Sequence, residues 1–154
     1  MTHRSSEVIS RLAGRTLATA ESCTGGGIGA ALTAVPGSSA VYKGGIISYC
    51  NEVKHRVLGV EQQLLDTLGA VSGPVAEQMA AGVRHVLDAD IAVSVTGLAG
   101  PGGDEYGNPV GTVFIGYCDE NQTLSREYHF PGDREQVRSQ AVEAALELIL
   151  QYNP

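Results

Sequence analysis

Residues 17–32 read LATAESCTGGGIGAAL, and this stretch decides the fold. It opens as a short apolar run and breaks at Glu21-Ser22-Cys23-Thr24. It then passes Gly25, Gly26 and Gly27 and continues as an alanine-rich segment of helical character. Strand, polar glycine loop and helix in succession form the unit with which α/β proteins grip anions. Glycine lets backbone N–H groups approach a ligand, and the helix N-terminus adds a positive dipole. The same residues also suit a plain strand-to-helix turn with Thr24 as N-cap. The stretch alone leaves both readings open.

Working outward, Ser5-Ser6 caps a first helix with Val8, Ile9 and Leu12 on one side, ended by Gly14. Thr16–Ala20 is the first strand, and the helix from Gly26 to Val35 stops before the turn residues Pro36-Gly37-Ser38-Ser39. Gly45–Cys50 reads as a second strand, with Asn51 as N-cap of a helix through Lys54 and Val57. A short amphipathic piece covers Gln62–Leu68, and Ser72-Gly73-Pro74 opens a longer helix bearing Val75, Met79, Val83, Val86 and Leu87. Ile91–Val95 is apolar enough for a central strand covered on both faces, and it runs into a second glycine loop, Thr96–Gly103. Val110–Cys118 and Leu124–Phe130 form a hairpin, and a last helix starts near Asp133 with Val137, Ala141, Ala144, Ala145 and Leu148 inward. These elements predict one domain over residues 1–154: a three-layer α/β/α sandwich with a mixed, mainly parallel sheet of about five strands.

Composition narrows the function classes. The 43% hydrophobic content argues for a folded chain, and no apolar run approaches the roughly 20 residues of a membrane span. The first ten residues lack the apolar centre of a signal peptide, and three scattered cysteines do not make a disulfide framework. A reduced, cytoplasmic protein with no membrane partner is the expectation. A net charge of −7 with scattered Lys and Arg speaks against nucleic acid as a partner. It leaves a small anionic ligand open, since a few local cations suffice for one phosphate.

Ligands of open α/β sheets collect beyond the carboxyl ends of the strands. Four candidate segments fall there: Glu21–Thr24, Tyr49–Lys54, Thr96–Gly103 and Gly132–Arg134. Arg134 and Arg138 lie four apart in the first turns of the last helix, where the macrodipole disfavours cations, and Lys54 sits equally early behind Asn51. Cations so placed suggest an anion between them, although Asp133, Glu135 and Glu52 also suffice to neutralise them. The four histidines show no ligand spacing, so no metal is expected. No glycine loop ends in Gly-Lys-Ser/Thr or matches GxGxxG, which removes the usual signs of a kinase or a nicotinamide dehydrogenase. Nucleophilic catalysis remains, with Ser22, Ser38 and Ser39 as candidate nucleophiles. Lys54 is the candidate base, since burial depresses a lysine pKa, and Tyr49 is a possible proton relay.

The motifs AESCTGG (20–26), PGSS (36–39), SYCNEVK (48–54), GAVS (69–72), TGLAGPGG (96–103), PVGTV (109–113) and GDREQVR (132–138) together resemble the CinA C-terminal domain family. They occur in family order over nearly the whole chain. Stand-alone members of that family are nicotinamide mononucleotide deamidases, which release ammonia from the carboxamide and leave nicotinic acid mononucleotide. The resemblance implies a mixed-sheet α/β/α fold, no metal or organic cofactor, a small-molecule nucleotide substrate and a homo-oligomer. Longer members add an N-terminal domain, which is not expected in a chain of this length. Carried over by motif, Ser39 is the nucleophile, with Tyr49 and Lys54 as the proton-transfer pair. Thr96 and Arg138 bind substrate, with Arg134 as companion. Glu21, Ser22, Thr24, Gly25, Gly26 and Gly97 then line the substrate pocket. A non-catalytic nucleotide-binding module tied to competence or DNA damage is the alternative.

Overall fold

A computed structural model describes residues 3–154. In chain order it contains α1 (His3–Arg11), β1 (Leu17–Glu21), α2 (Gly27–Thr33), β2 (Tyr42–Ile47), α3 (Asn51–Arg56), α4 (Gln62–Leu68) and α5 (Gly73–Val86). Strands β3 (Ile91–Gly97), β4 (Thr112–Cys118) and β5 (Thr123–His129) follow, and α6 (Arg134–Tyr152) closes the chain. A single 3₁₀ turn over Ser38–Ala40 leads into β2. The strands form one sheet in the order β2-β1-β3-β4-β5. β1 pairs in parallel with β2 and β3, whereas β3–β4 and β4–β5 are antiparallel. Only β4 runs against the others, so β1, β2, β3 and β5 all end on one edge of the sheet.

Period-two alternation assigns the strand residues to two cores. Leu17, Ile91, Val93 and Val95 face α1, α2 and α6, packing with Val8, Ile28, Val137 and Leu148. Ala18, Ala20 and Ala92 face the opposite side, among Leu65 of α4 and Val75, Met79 and Val83 of α5. Helices therefore cover both faces, as the sequence predicts, and β3 is buried from Ile91 to Thr96. Small residues on the second face draw α5 close. A Cβ on Gly116 would run into the Ala76 carbonyl, and one on Gly82 into the Leu58 carbonyl.

The Gly82 contact matters to the site, because the chain just beyond Leu58 returns Val60 N–H to the Lys54 carbonyl at 3.1 Å. Gly82→Ala gains about 1 kcal/mol of helix propensity. It must also push α5 off a backbone segment, a cost of about 3 kcal/mol. The collision wins, and a thermal melt should show the midpoint lowered by several degrees, roughly 5 °C. An unchanged or raised midpoint would show that the helix moves without penalty.

Several local expectations are corrected; Asn51, for one, is the first residue of α3, and Cys50 is its N-cap. Ser5 is a buried residue inside α1, not its cap. β2 begins at Tyr42, earlier than the predicted Gly45, because the ladder to β1 recruits Gly44 and Gly45 despite their poor strand propensity. α2 takes Gly26 as N-cap with φ 102° and no side-chain cap, so Thr24 does not cap it. The last helix is as read: Asp133 caps α6 in a reciprocal box with Gln136, both bonds at 2.9 Å.

Candidate active site

The shared carboxyl edge brings together the four segments singled out in the sequence. Ser22 follows β1, Tyr49 and Lys54 follow β2, Thr96 and Gly97 end β3, and Arg134 opens α6 after β5. Ser22, Tyr49, Lys54, Val71, Thr96 and Arg134 surround a cleft of about 280 Å³. That volume is at the small end of ligand sites. A larger open groove along α6, lined by Pro131, Glu135 and Gln140, presents no buried polar side chain.

Ser22 is held from both sides. Its N–H bonds the Val95 carbonyl and its carbonyl receives Gly25 N–H, both at 3.0 Å. Its hydroxyl meets Lys54 Nζ at 3.0 Å. Lys54 is 1% exposed, an unusual state for a lysine. Nζ also donates to the Ser48 carbonyl at 2.7 Å and, more weakly, to the Tyr49 carbonyl at 3.5 Å. All three acceptors are neutral, and among the described residues no carboxylate pairs with it. Burial without a counter-charge pushes the Lys54 ammonium down to about 8. Burial acts oppositely on the neighbouring Cys23 thiol, pushing it up to about 11 and making a poor nucleophile of it.

Arg134 closes the mouth of the cleft. Its guanidinium donates to the Gly100 carbonyl at 2.6 Å and to the Tyr49 hydroxyl at 3.1 Å, tying the loops after β2 and β3 to α6. Both acceptors are uncharged, and among the described residues it has no ion-pair partner. Thr96 Oγ1 donates to the Ala70 carbonyl at 2.8 Å and so holds the Ala70-Val71 wall. Among the described residues no group of three or more His, Cys, Asp or Glu side chains gathers in a metal-binding arrangement.

The model of the family described as the CinA C-terminal domain matches residues 2–153. The chain belongs to the CinA C-terminal domain family. A Pseudomonas putida protein named nicotinamide-nucleotide amidohydrolase PncC is 49% identical over 133 residues, which is 86% of this chain and 83% of that protein. A CinA-like protein of Thermosynechococcus vestitus is 50% identical over 138 residues, 88% of this chain but 33% of that protein. The chain thus spans about a third of the length of such relatives. Among solved structures, a CinA superfamily protein of Escherichia coli superposes with a TM-score of 0.94 at 38% identity, covering 97% of this chain and 88% of that one. The competence/damage-inducible protein of Agrobacterium tumefaciens gives 0.94 at 40%, covering 98% and 94%.

In this CinA C-terminal domain, Ser39 does not meet Lys54. It is exposed in the turn before β2, beside Val41, whose carbonyl receives the N–H of Leu17 at the start of β1. Tyr49 and Lys54 come after the end of the same strand. Six residues at about 3.3 Å each place the two ends roughly 20 Å apart within one chain. Ser38 lies in the same turn. Glu21, Thr24 and Arg138, expected on the ligand, are hydrogen-bonded within the loop. The Glu21 carboxylate bonds Thr24 Oγ1 and the N–H groups of Ile28 and Gly29. Arg138 donates to the carbonyls of Cys23 and Thr24 at 3.0 and 3.2 Å. Gly25 and Gly26 supply positive φ for the turn and do not line the cleft, whereas Gly97 does.

The sequence reading missed Ser48, whose carbonyl is the shortest contact of Lys54, and the Ala70-Val71 wall. Their backbone positions are what count, and a backbone carbonyl leaves no residue-type signal. The GAVS motif at 69–72 was the available pointer to the wall.

Proposed function

We propose that this domain is a nicotinamide-nucleotide amidohydrolase in which Ser22 is the nucleophile and Lys54 the base. The observation that carries the reading is the 3.0 Å contact between Ser22 Oγ and a buried lysine facing only neutral acceptors. The name of the P. putida relative supplies the substrate class. In the neutral amine, two N–H groups satisfy the Ser48 and Tyr49 carbonyls, which turns the lone pair towards the Ser22 hydroxyl.

Ser22 Oγ attacks the carboxamide carbon as its proton passes to Lys54 Nζ. Cys23 lines the cleft, and its backbone N–H is the donor we assign to the developing oxyanion. Lys54 returns the proton to the departing nitrogen, the C–N bond breaks, and ammonia leaves an ester on Ser22. Water then attacks that ester with Lys54 again as base, freeing the carboxylate and restoring the serine. Arg134 meets the phosphate. The α2 N-terminus, which the glycine loop suggests as an anion site, is already filled by Glu21. A pure binding module has no use for a lysine buried against a serine, so the enzyme reading is preferred.

The test is ammonia release from nicotinamide mononucleotide and from free nicotinamide. Arg134→Ala should raise KM for the nucleotide on the order of 30-fold, the scale of one charge-assisted bond. Ammonia release from free nicotinamide should not change, since that compound has no phosphate. Equal losses on both substrates would remove Arg134 from phosphate binding. No ammonia from the nucleotide with the native chain would sink the proposed activity.

A further inference from the structure

Glu21 is the one buried carboxylate at the carboxyl edge among the described residues, and the reaction steps above make no use of it. Burying a carboxylate without a cation is costly unless donors replace its water. Four donors do so. Oε1 accepts from Thr24 Oγ1 at 2.7 Å and Ile28 N–H at 2.9 Å, and Oε2 from Gly29 N–H at 2.9 Å and Thr19 Oγ1 at 3.3 Å. The Thr19 hydroxyl lies in turn 2.7 Å from that of Tyr42. The side chain therefore braces the whole turn from Ser22 to Gly29 across its open side.

The Glu21 main chain reaches the other partner. Its carbonyl receives Ser48 N–H at 2.7 Å and the Ser48 hydroxyl at 3.3 Å. Ser48 then offers its own carbonyl to Lys54 Nζ. One residue is thus tied to both the turn bearing Ser22 and the segment bearing on Lys54. A turn with three successive glycines has little rigidity of its own, so the Ser22–Lys54 distance needs an outside brace.

We infer that Glu21 is the positioning residue of the Ser22–Lys54 pair, its buried carboxylate bracing the glycine turn so that Ser22 Oγ stays within reach of Lys54 Nζ. This rests on Ser22 being the nucleophile. Glu21→Gln keeps the size of the side chain but turns one acceptor into a donor facing the Gly29 N–H. The expected result is kcat lowered on the order of 100-fold with KM nearly unchanged, because misplacing a reacting group costs rate while the binding contacts survive. Labelling of Ser22 by a small fluorophosphonate, which needs no nucleotide recognition, should slow in parallel.

Val83→Ala, in the core on the opposite sheet face, provides a comparably destabilised control that should keep both rates. Should Glu21→Gln fail to fold, Thr24→Val removes a single brace and should slow labelling about tenfold. Wild-type rates in the Glu21 or Thr24 variant would overturn the inference. So would losses that merely track the folded fraction, as in Val83→Ala. Full activity in Ser22→Ala would instead bring down the nucleophile assignment, and this inference with it, which separates the two failures.

Discussion

Replacing Ser22 with alanine is expected to cut ammonia release from nicotinamide mononucleotide by about 10⁴-fold or more, the scale seen when a nucleophile is removed from a concerted site. The loss should fall on kcat, because the hydroxyl is asked to form a bond and not to hold the substrate. Ser39→Ala, at the opposite edge of the sheet, should stay within about twofold of the native rate, as for other exposed turn substitutions. Mass mapping of a fluorophosphonate-labelled chain should find the adduct on the peptide containing Ser22. The reverse pattern, with Ser39→Ala inactive and Ser22→Ala active, would return the nucleophile to the PGSS turn. Residual activity in neither variant would require both serines, which a single chain does not bring together.

Lys54 carries the second large effect, and its pH dependence has a defined sign. The base must be neutral, and burial holds the ammonium down to about 8. About one molecule in ten is then competent at pH 7. Activity should therefore rise nearly tenfold per pH unit below that value and level off above it. Lys54→Arg should be inactive at every accessible pH, since a guanidinium does not give up its proton. A native profile flat between pH 6 and 9 would exclude Lys54 as the titrating base.

The same shift predicts a stability signature. The folded chain releases the Lys54 proton near 8, the unfolded chain only near the ordinary lysine value of 10.5. Between those values the unfolded state holds more protons, so stability rises with pH there, by roughly 3 kcal/mol in all. Lys54→Met removes that contribution. The difference in unfolding free energy between native and variant chains should shift in favour of the native chain as pH climbs from 7 towards 10.5. Parallel curves over that range would mean the lysine is not paying a burial cost.

The Glu21 arrangement shows why a glycine loop after a strand was readable in two ways. The α2 N-terminus does bind an anion, but the anion is a side chain seven residues upstream of its first N–H partner. A phosphate loop and an internally capped turn share the same glycines, and the difference lies in whether a carboxylate folds back. Glu21 fits the second case, so the stretch around it serves as the frame for Ser22.

Much of this protein is determined by its sequence alone. Alternating and continuous apolar runs define strands such as Ile91–Val95. Asp133 with Gln136 marks the start of α6, and the order of strands and helices compels a layered α/β/α sheet whose ligand edge collects Ser22, Tyr49, Lys54, Thr96 and Arg134. The motifs suffice to name the family. What only the tertiary structure decided is which serine that lysine meets. Ser22 and Ser39 are both polar turn residues next to a strand, but parallel pairing of β1 and β2 puts the end of one strand beside the end of the other. Ser22 and Lys54 follow two such ends, while Ser39 precedes a beginning. A serine's place in a motif does not encode the end of the sheet at which it stands. That is a property of strand direction, and it exists only once the sheet has formed.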